Sequence, residues 1–285
     1  MSLHPICTDL DVSLELLDVP GGPLAVLRAA PDAPSRSTVL LVPGFTGSKE
    51  DFRLLVRPLV EAGHPVVLLD QRGQHQSPGP DDLSAYTTTA LGADLLAVVD
   101  ELRVGPLHLV GHSLGGLVAR AAVLQRPEAF RSLVLMGSGP AGLTGPRVDV
   151  LPLMRPLAEQ GMPALVAAVD ALNAGDVRWL ALDASTQCFL RDRMAASSAR
   201  ALLGMADALT GEPDRVAELR ATGLPLLVVH GENDDAWLPA VQREMAERLG
   251  AAYAVVPDAV HSPAVEQPEA TAKALLAFFP EPADA

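Results

Sequence analysis

The stretch VGHSLGG at residues 110–116 decides the fold, because it joins a short apolar run to a helix-forming run. The apolar run covers residues 107–110, and the helix-forming run covers residues 114–125. Gly-x-Ser-x-Gly between a strand and a helix predicts a sharp, strained turn that lifts the serine hydroxyl above the edge of a sheet. The motif makes Ser113 a candidate nucleophile, although an ordinary glycine-rich loop between a strand and a helix has the same composition.

Outward from this motif, short apolar runs alternate with segments of helical spacing. The predicted strands cover residues 12–17, 24–27, 38–42, 65–69, 107–110, 132–136, 224–230 and 252–256. The predicted helices cover about 50–62, 90–102, 114–125, 239–249 and 267–279. Except for the first two strands, which predict a hairpin, this alternation is typical of a mostly parallel sheet flanked by helices, an α/β fold.

The alternation stops between residues 139 and 222. This segment contains no convincing strand, and its apolar residues fall at helical intervals between frequent glycines and prolines. We expect it to form a helical cap, or lid, inserted into an α/β core made of residues 1–138 and 223–285.

Composition restricts the partners. The chain of 285 residues is 49% hydrophobic and has a formal net charge of -14. Like charge would repel nucleic acid and anionic membranes, so we expect neither as a partner. Residues 1–11 lack the order of charge and apolar residues of a secretory signal, and no apolar run approaches the length of a membrane span. We therefore expect a cytoplasmic monomer or homodimer that acts on a small molecule.

Motifs for metals and cofactors are missing from the sequence. Cys7 and Cys188 are the only cysteines and form no Cys-x-x-Cys pair. Neither a glycine-rich phosphate loop nor a His-Glu-x-x-His motif occurs. We therefore expect no metal and no cofactor.

A serine nucleophile needs a base, and the base needs a carboxylate that orients it. Working residues of α/β sheets lie in loops at the carboxyl ends of strands. Two such loops follow Ser113, namely GENDD at residues 231–235 and PDAVHSP at residues 257–263. They supply His261 as the candidate base and two adjacent aspartates as candidate acids, in the order serine, acid, histidine.

With these motifs the chain resembles the α/β-hydrolase-fold serine hydrolases, an esterase- and lipase-like family with a helical cap. The resemblance covers about residues 14–279 outside the cap and implies that Ser113 is the nucleophile and His261 the base. The family acid usually stands third after the glycine of Gly-x-x-Asp, which is Asp234 here, whereas the spacing to Pro239 favours Asp235. We prefer Asp234, since a short turn fixes its register better, and keep Asp235 as the alternative.

The resemblance also implies an oxyanion hole made by the backbone N–H groups of Phe45 and Leu114. The loop before Phe45 departs from the family, because Pro43 stands where histidine is usual and proline has no N–H. The loop at residues 70–77 resembles the family's Asp-x-Arg-Gly-x-Gly-x-Ser, with His75 in place of the second glycine. That loop is normally structural.

Together these features predict a carboxylesterase-like serine hydrolase that cleaves an ester of a small or medium apolar acyl group through an acyl-enzyme. The open alternatives are a thioesterase, a C–C hydrolase, or a non-hydrolytic lyase, cyclase or perhydrolase of a biosynthetic pathway. A binding protein that retains only the fold is a further class. Apolar cap residues are candidates for the pocket wall: Met154, Trp179, Phe189, Leu190 and Met205.

Overall fold

The computed structural model of the chain describes residues 12–145 and 147–279, except for the side chain of Arg178. An eight-stranded sheet is its centre, in the order β1-β2-β4-β3-β5-β6-β7-β8. The strands are β1 (Val12–Leu17), β2 (Leu24–Ala29), β3 (Val39–Val42), β4 (Val66–Leu69), β5 (Leu107–His112), β6 (Phe130–Met136), β7 (Leu226–Gly231) and β8 (Ala252–Val256). β2 pairs antiparallel with β1 and β4, and all other pairs are parallel. The predicted hairpin and the predicted fold class are confirmed.

Helices cover both faces of the sheet. The α-helices are α1 (Arg53–Glu61), α2 (Thr88–Leu102), α3 (Leu114–Gln125), α4 (Leu151–Glu159), α5 (Met162–Asn173), α6 (Val177–Leu180), α7 (Ala184–Ala196), α8 (Ala199–Gly211), α9 (Val216–Ala221), α10 (Pro239–Leu249), α11 (Pro263–Glu266) and α12 (Pro268–Phe278). Short 3-10 helices lie at Lys49–Phe52, Leu83–Tyr86, Pro127–Ala129 and Val148–Val150. None of the helices described here is long and apolar enough to cross a membrane.

Two apolar cores follow from the alternation of side chains along the buried strands. Leu40 and Val42 of β3 face the core under α2, α3 and α10. Val39 and Leu41 of the same strand face the core under α1 and α12. Because helices cover both faces, the central strands are apolar throughout.

The predicted helix at residues 50–62 starts differently from the expectation. Its first turn is the 3-10 helix Lys49–Phe52, which α1 continues from Arg53. The Asp51 side chain caps this turn, because its carboxylate accepts a hydrogen bond from the backbone N–H of Ser48 over 3.2 Å.

Six α-helices, α4 to α9, lie between β6 and β7, and the described part of this segment contains no strand. α4, α5 and α8 share a small apolar cluster made of Ala158, Leu165, Leu202 and Leu203. α9 packs instead against α3 and α10 beside the sheet. The division of the chain into a core and a cap at residues 139 and 222 stays a prediction.

Arg120 of α3 contacts the chain at two places in this part of the molecule, before α4 and between α8 and α9. Its buried guanidinium donates to the carbonyl of Pro140 and, over 3.1 and 3.2 Å, to the Glu212 carboxylate and the Pro213 carbonyl. The backbone N–H of Gly142 also donates to the Glu212 carbonyl over 2.7 Å. These contacts hold the chain before α4 close to the chain after α8.

Candidate active site

Ser113 occupies the predicted turn between β5 and α3. Its φ of 55° and ψ of -122° lie outside the regions that a non-glycine residue usually adopts. Small neighbours allow the turn, because a Cβ at Gly111 would lie 2.3 Å from the Gly115 carbonyl oxygen. Such a conformation costs about 1–3 kcal/mol and persists only where packing imposes it.

The three predicted side chains meet above this turn. The His261 ring places Nε2 3.0 Å from the Ser113 Oγ and Nδ1 3.0 Å from an oxygen of the Asp234 carboxylate. His261 follows β8 and Asp234 follows β7, so the contacts join three loops at the carboxyl edge of the sheet. The geometry is that of a serine, a base and an orienting acid.

Of the two candidate acids, Asp234 contacts His261 and Asp235 does not. Asp234 is buried, and its carboxylate also accepts hydrogen bonds from the backbone N–H of Ala236 and the side-chain amide of Gln242, each over 2.9 Å. Asp235 is exposed and forms an ion pair with Arg147 over 2.5 Å. The carboxylate that contacts His261 is therefore the one that the Gly-x-x-Asp register favours, and its role as the acid stays a prediction.

Burial alone would raise the pKa of Asp234. Hydrogen bonds from His261, Ala236 and Gln242, together with the charge of His261, outweigh burial and hold the pKa below its usual value. The carboxylate is therefore ionised at neutral pH and accepts the Nδ1–H of His261.

Two supporting contacts hold the triad side chains in place. Gln242 is a residue that sequence reasoning missed. Its amide, fully buried on α10, donates to Asp234 and to the Trp237 carbonyl. His112 donates from Nε2 to the backbone carbonyl of His261 over 2.8 Å, and burial together with the nearby His261 lowers the pKa of His112 to about 4. Nothing in the sequence distinguishes Gln242 from a glutamine on the solvent-exposed face of an amphipathic helix, which is why sequence reasoning missed it.

The turn after β3 reaches Ser113 despite its proline. A Cβ on Gly44 would lie only 2.9 Å from the Cβ of Ser113. The carbonyls of Pro43 and Gly44 accept hydrogen bonds from the side-chain amides of Gln71 and Gln74, each over 2.8 Å. Two glutamines of the loop at residues 70–77 therefore hold this turn, a role that the sequence analysis did not assign to them.

The two predicted oxyanion donors lie in different segments, one in the turn after β3 and the other directly after Ser113. Phe45 follows Gly44 directly, and Leu114 is the first residue of α3. The N–H groups in the first turn of a helix have no acceptor within the helix. Their assignment to an oxyanion hole stays a prediction.

A charged cluster lies beside the same loop. Glu50, Asp70 and His75 place three ligand atoms within 4.8 Å of one another, a set that could hold a metal ion. The Lys49 ammonium, however, contacts the Asp70 carboxylate over 2.7 Å and the Glu50 carboxylate over 2.9 Å. Burial raises the pKa of Glu50, but His75, Lys49 and Ser48 outweigh it and lower that pKa to about 2. Lys49 therefore supplies the cation that these two carboxylates need.

A cavity of about 740 Å³ opens above Ser113 and His261, and we call it the main cavity. Of the five predicted wall residues, Met154, Phe189 and Leu190 line it. Trp179 and Met205 are not among its described lining residues, and Met205 is buried in the core instead. The remaining apolar lining includes Phe45, Leu143, Val150, Leu151, Leu182, Met194, Leu209 and Val265.

Arginines also face the main cavity. Arg193 forms an ion pair with Asp51 over 2.6 Å, and Arg147 forms the pair with Asp235. Arg53, which also lines the cavity, donates to the Glu50 carbonyl over 3.4 Å. Of the 27 described lining residues, twelve are apolar, and six are arginines or acidic residues.

The α/β fold and the strained turn at Ser113 are typical of hydrolases. Comparison with known proteins identifies the family. The family model described as the alpha/beta hydrolase fold matches residues 37–268. The chain belongs to the α/β-hydrolase family of enzymes.

Two curated relatives show how wide this family is. The chain is 28% identical over 264 residues to a protein of Bacillus subtilis (strain 168) assigned as 2-succinyl-6-hydroxy-2,4-cyclohexadiene-1-carboxylate synthase, covering 88% of this chain and 93% of that one. It is 36% identical over 124 residues to the 2-hydroxy-6-oxononadienedioate/2-hydroxy-6-oxononatrienedioate hydrolase of Escherichia coli (strain K12), covering 43% and 39% of the two chains.

Solved structures support the same fold. The enol-lactonase from Burkholderia xenovorans LB400 superimposes with a TM-score of 0.78 at 23% identity, over 93% of this chain and 99% of that one. At this identity the similarity shows the fold and not the substrate.

Proposed function

We propose that this chain is a serine hydrolase that cleaves a carboxylic ester of a small or medium, mainly apolar acyl group. One observation carries the proposal. Ser113, His261 and Asp234 form a continuous chain of two 3.0 Å hydrogen bonds at the base of the main cavity. A serine hydroxyl is a weak nucleophile at neutral pH, and an adjacent base of this kind activates it.

The first half of the proposed reaction forms an acyl-enzyme. Ser113 Oγ attacks the ester carbonyl while His261 Nε2 takes the hydroxyl proton. The Asp234 carboxylate holds the ring with Nδ1 protonated and stabilises the imidazolium. The same Nε2–H then protonates the departing alkoxide, which leaves the acyl group on Ser113.

The second half releases the acid. A water molecule gives a proton to His261 and attacks the acyl carbonyl, and the imidazolium returns that proton to Ser113. In both halves the N–H groups of Phe45 and Leu114 stabilise the oxyanion. Losing one such donor typically costs about 3 kcal/mol of transition-state stabilisation.

The main cavity supports an uncharged, apolar substrate. Its volume of about 740 Å³ is in the range of sites for small molecules, about 300–1,000 Å³. Arg147 and Arg193 are paired with carboxylates, so their charges are largely neutralised within the protein. The net charge of -14 opposes the approach of a strongly anionic substrate.

A C–C hydrolase is the second candidate, and two observations favour it. The Escherichia coli relative whose name is that of a dioate hydrolase shares 36% identity over 124 residues. Arg53 lines the main cavity and forms no ion pair within residues 12–145 and 147–279, so it is available to a substrate carboxylate. The same three residues can cleave either an ester bond or a C–C bond, and the reaction depends on which substrate binds in the main cavity.

Hydrolysis of p-nitrophenyl esters from acetate to decanoate tests the proposal. We expect turnover by the natural sequence and none above background by Ser113→Ala. A vinylogous 1,5-diketone acid, the type of substrate that a C–C hydrolase cleaves, is the matched comparison. Cleavage of that compound without any ester turnover would replace the first candidate with the second.

A further inference from the structure

A second cavity, of about 280 Å³, lies between α4, α5 and α8, and we call it the side cavity. Of the thirteen described residues that line it, ten are apolar: Phe45, Val148, Leu151, Pro152, Met154, Ala158, Leu165, Leu202, Leu203 and Ala206. Such a surface favours an apolar occupant, since a buried charge without a partner is costly.

The side cavity adjoins the main cavity. Phe45, Leu151 and Met154 line both, and they therefore form the partition between the two spaces. Methionine is unbranched and has three rotatable bonds, so Met154 is the most adaptable of the three residues. Phe45 also belongs to the turn beside Ser113, which puts the partition close to the nucleophile.

The outer end of the side cavity is polar. Its three polar lining residues are Arg155, Asp207 and Thr210. Arg155 of α4 forms an ion pair with Asp207 of α8, and both side chains are exposed. The cavity therefore has a polar outer rim and an apolar inner end that meets the main cavity.

We propose that the side cavity binds the distal, apolar end of the acyl group whose carbonyl lies at Ser113. The inference rests on the proposed function and narrows it to esters of medium-chain, uncharged acids with a flexible tail. The tail passes the partition at Met154 and ends among Leu202, Leu203 and Ala206. Short acyl groups stay in the main cavity.

Ala206→Leu tests this inference, because Ala206 lines the side cavity only. The added carbons fill the space that the tail would occupy. Each buried methylene contributes about 0.8 kcal/mol, about fourfold in kcat/KM. We expect the ratio of kcat/KM for the octanoate ester to that for the butyrate ester to fall at least tenfold. Met154→Ala, which opens the partition, should raise the same ratio.

Ala167→Leu is the matched control. Ala167 is exposed on α5 and lines neither cavity, so the same substitution there should leave the ratio unchanged. Thermal unfolding of all variants checks that they fold. Equal ratios in the natural sequence and in folded Ala206→Leu would overturn the inference, as would a fall of the same size in the control.

A binding measurement separates this inference from the proposed function. Calorimetry with 1-butanol and 1-octanol, in the Ser113→Ala background, needs no turnover. We expect 1-octanol to bind at least tenfold more weakly when Ala206→Leu is added and unchanged when Ala167→Leu is added. If this binding pattern is found but the natural sequence turns over no ester, the proposed function is wrong and the inference about the side cavity stands. If 1-octanol binds equally well with and without Ala206→Leu, the inference about the side cavity is wrong.

Discussion

The carboxyl edge of the sheet and the helical segment between β6 and β7 are built in opposite ways. At the edge, every residue of β5 is buried, and Asp234 is held by three hydrogen-bond donors. In the helical segment, α7 has no fully buried residue along its described length. Leucines there are exposed to water, among them Leu153 at 69% and Leu172 at 73%.

The difference separates two requirements of the proposed reaction. Proton transfer needs atoms held within hydrogen-bond distance, which dense packing and several partners for each group provide. Choice of substrate needs a wall that can adjust, which partly exposed helices with few shared contacts provide. In the proposed reaction the sheet edge therefore carries the chemistry, and the helical segment supplies nine of the twelve apolar residues described along the wall of the main cavity.

Ser113→Ala gives the largest expected effect at the sheet edge. Removal of the hydroxyl should lower kcat for a p-nitrophenyl ester by about 10⁶, since the triad acts as a unit. The melting temperature should stay the same or rise, because the substitution removes only an oxygen. Met154→Ala in the helical segment should change kcat far less. Comparable losses in both variants would remove the contrast between the two regions.

The two adjacent aspartates provide the next largest effect. Asp234→Asn should lower kcat by about 10⁴, because an amide at this position favours the wrong tautomer of His261. Asp235→Asn, one residue away, should change kcat less than about threefold, since Asp235 pairs with Arg147 at the surface. Steady-state kinetics on both variants decides the matter, and a larger loss in Asp235→Asn would contradict the assignment of the acid.

Packing can be compared by removing one leucine from each region. Leu135→Ala, in β6 at 1% exposure, should lower the free energy of unfolding by about 2–5 kcal/mol. Leu153→Ala, in α4, should change it by less than about 0.5 kcal/mol. Urea unfolding followed by circular dichroism measures both. A large cost at Leu153 would mean that the helical segment is packed as densely as the sheet.

Acid titration reports on the buried histidine at the sheet edge. Above pH 6.5, the usual pKa, His112 is neutral in both folded and unfolded chains. Between pH 6.5 and about 4, His112 gains a proton in the unfolded chain but not in the folded chain. The free energy of unfolding therefore falls by up to about 3 kcal/mol over this range. His108, with a pKa that burial also lowers to about 4, adds to this loss.

His112→Gln should therefore lose less stability over this pH range than the natural sequence does. Urea unfolding at pH 7 and pH 4.5 gives the difference for each protein. Equal losses in the two proteins would show that His112 takes up its proton in the folded state. The acid sensitivity would then belong to another group.

Much of the sheet and the turn at Ser113 could be predicted because their signals are local. The strand, turn and helix around Ser113 follow from a run of apolar residues, two glycines and a helix-forming stretch. The bounds of α3 and α10 agree with the predicted 114–125 and 239–249. The loops that supply His261 and the two candidate acids follow from the topology, because parallel strands bring the loops at their carboxyl ends to one edge. The preference for Asp234 over Asp235 follows from the resemblance to the family.

The rest depends on contacts between residues far apart in the chain. Helical spacing around residues 165 and 202 predicts helices, but it does not say which faces meet around the side cavity. For this reason two of the candidate wall residues, Met205 and Trp179, are not among the described lining residues of the main cavity. Gln71, Gln74 and Gln242 support the site through hydrogen bonds to partners that the fold brings near, and nothing in their neighbourhood along the chain predicts this.

The Arg120 contact has a consequence for protein engineering. The guanidinium of Arg120 binds the chain before α4, at Pro140, and the chain after α8, at Glu212 and Pro213. The two parts of the chain therefore meet at one junction. A foreign helical segment grafted between residues 142 and 211 would meet the sheet at that junction without changing β6 or β7. The α/β core can therefore be regarded as a fixed scaffold with one attachment point, at which other helical segments could replace the present one.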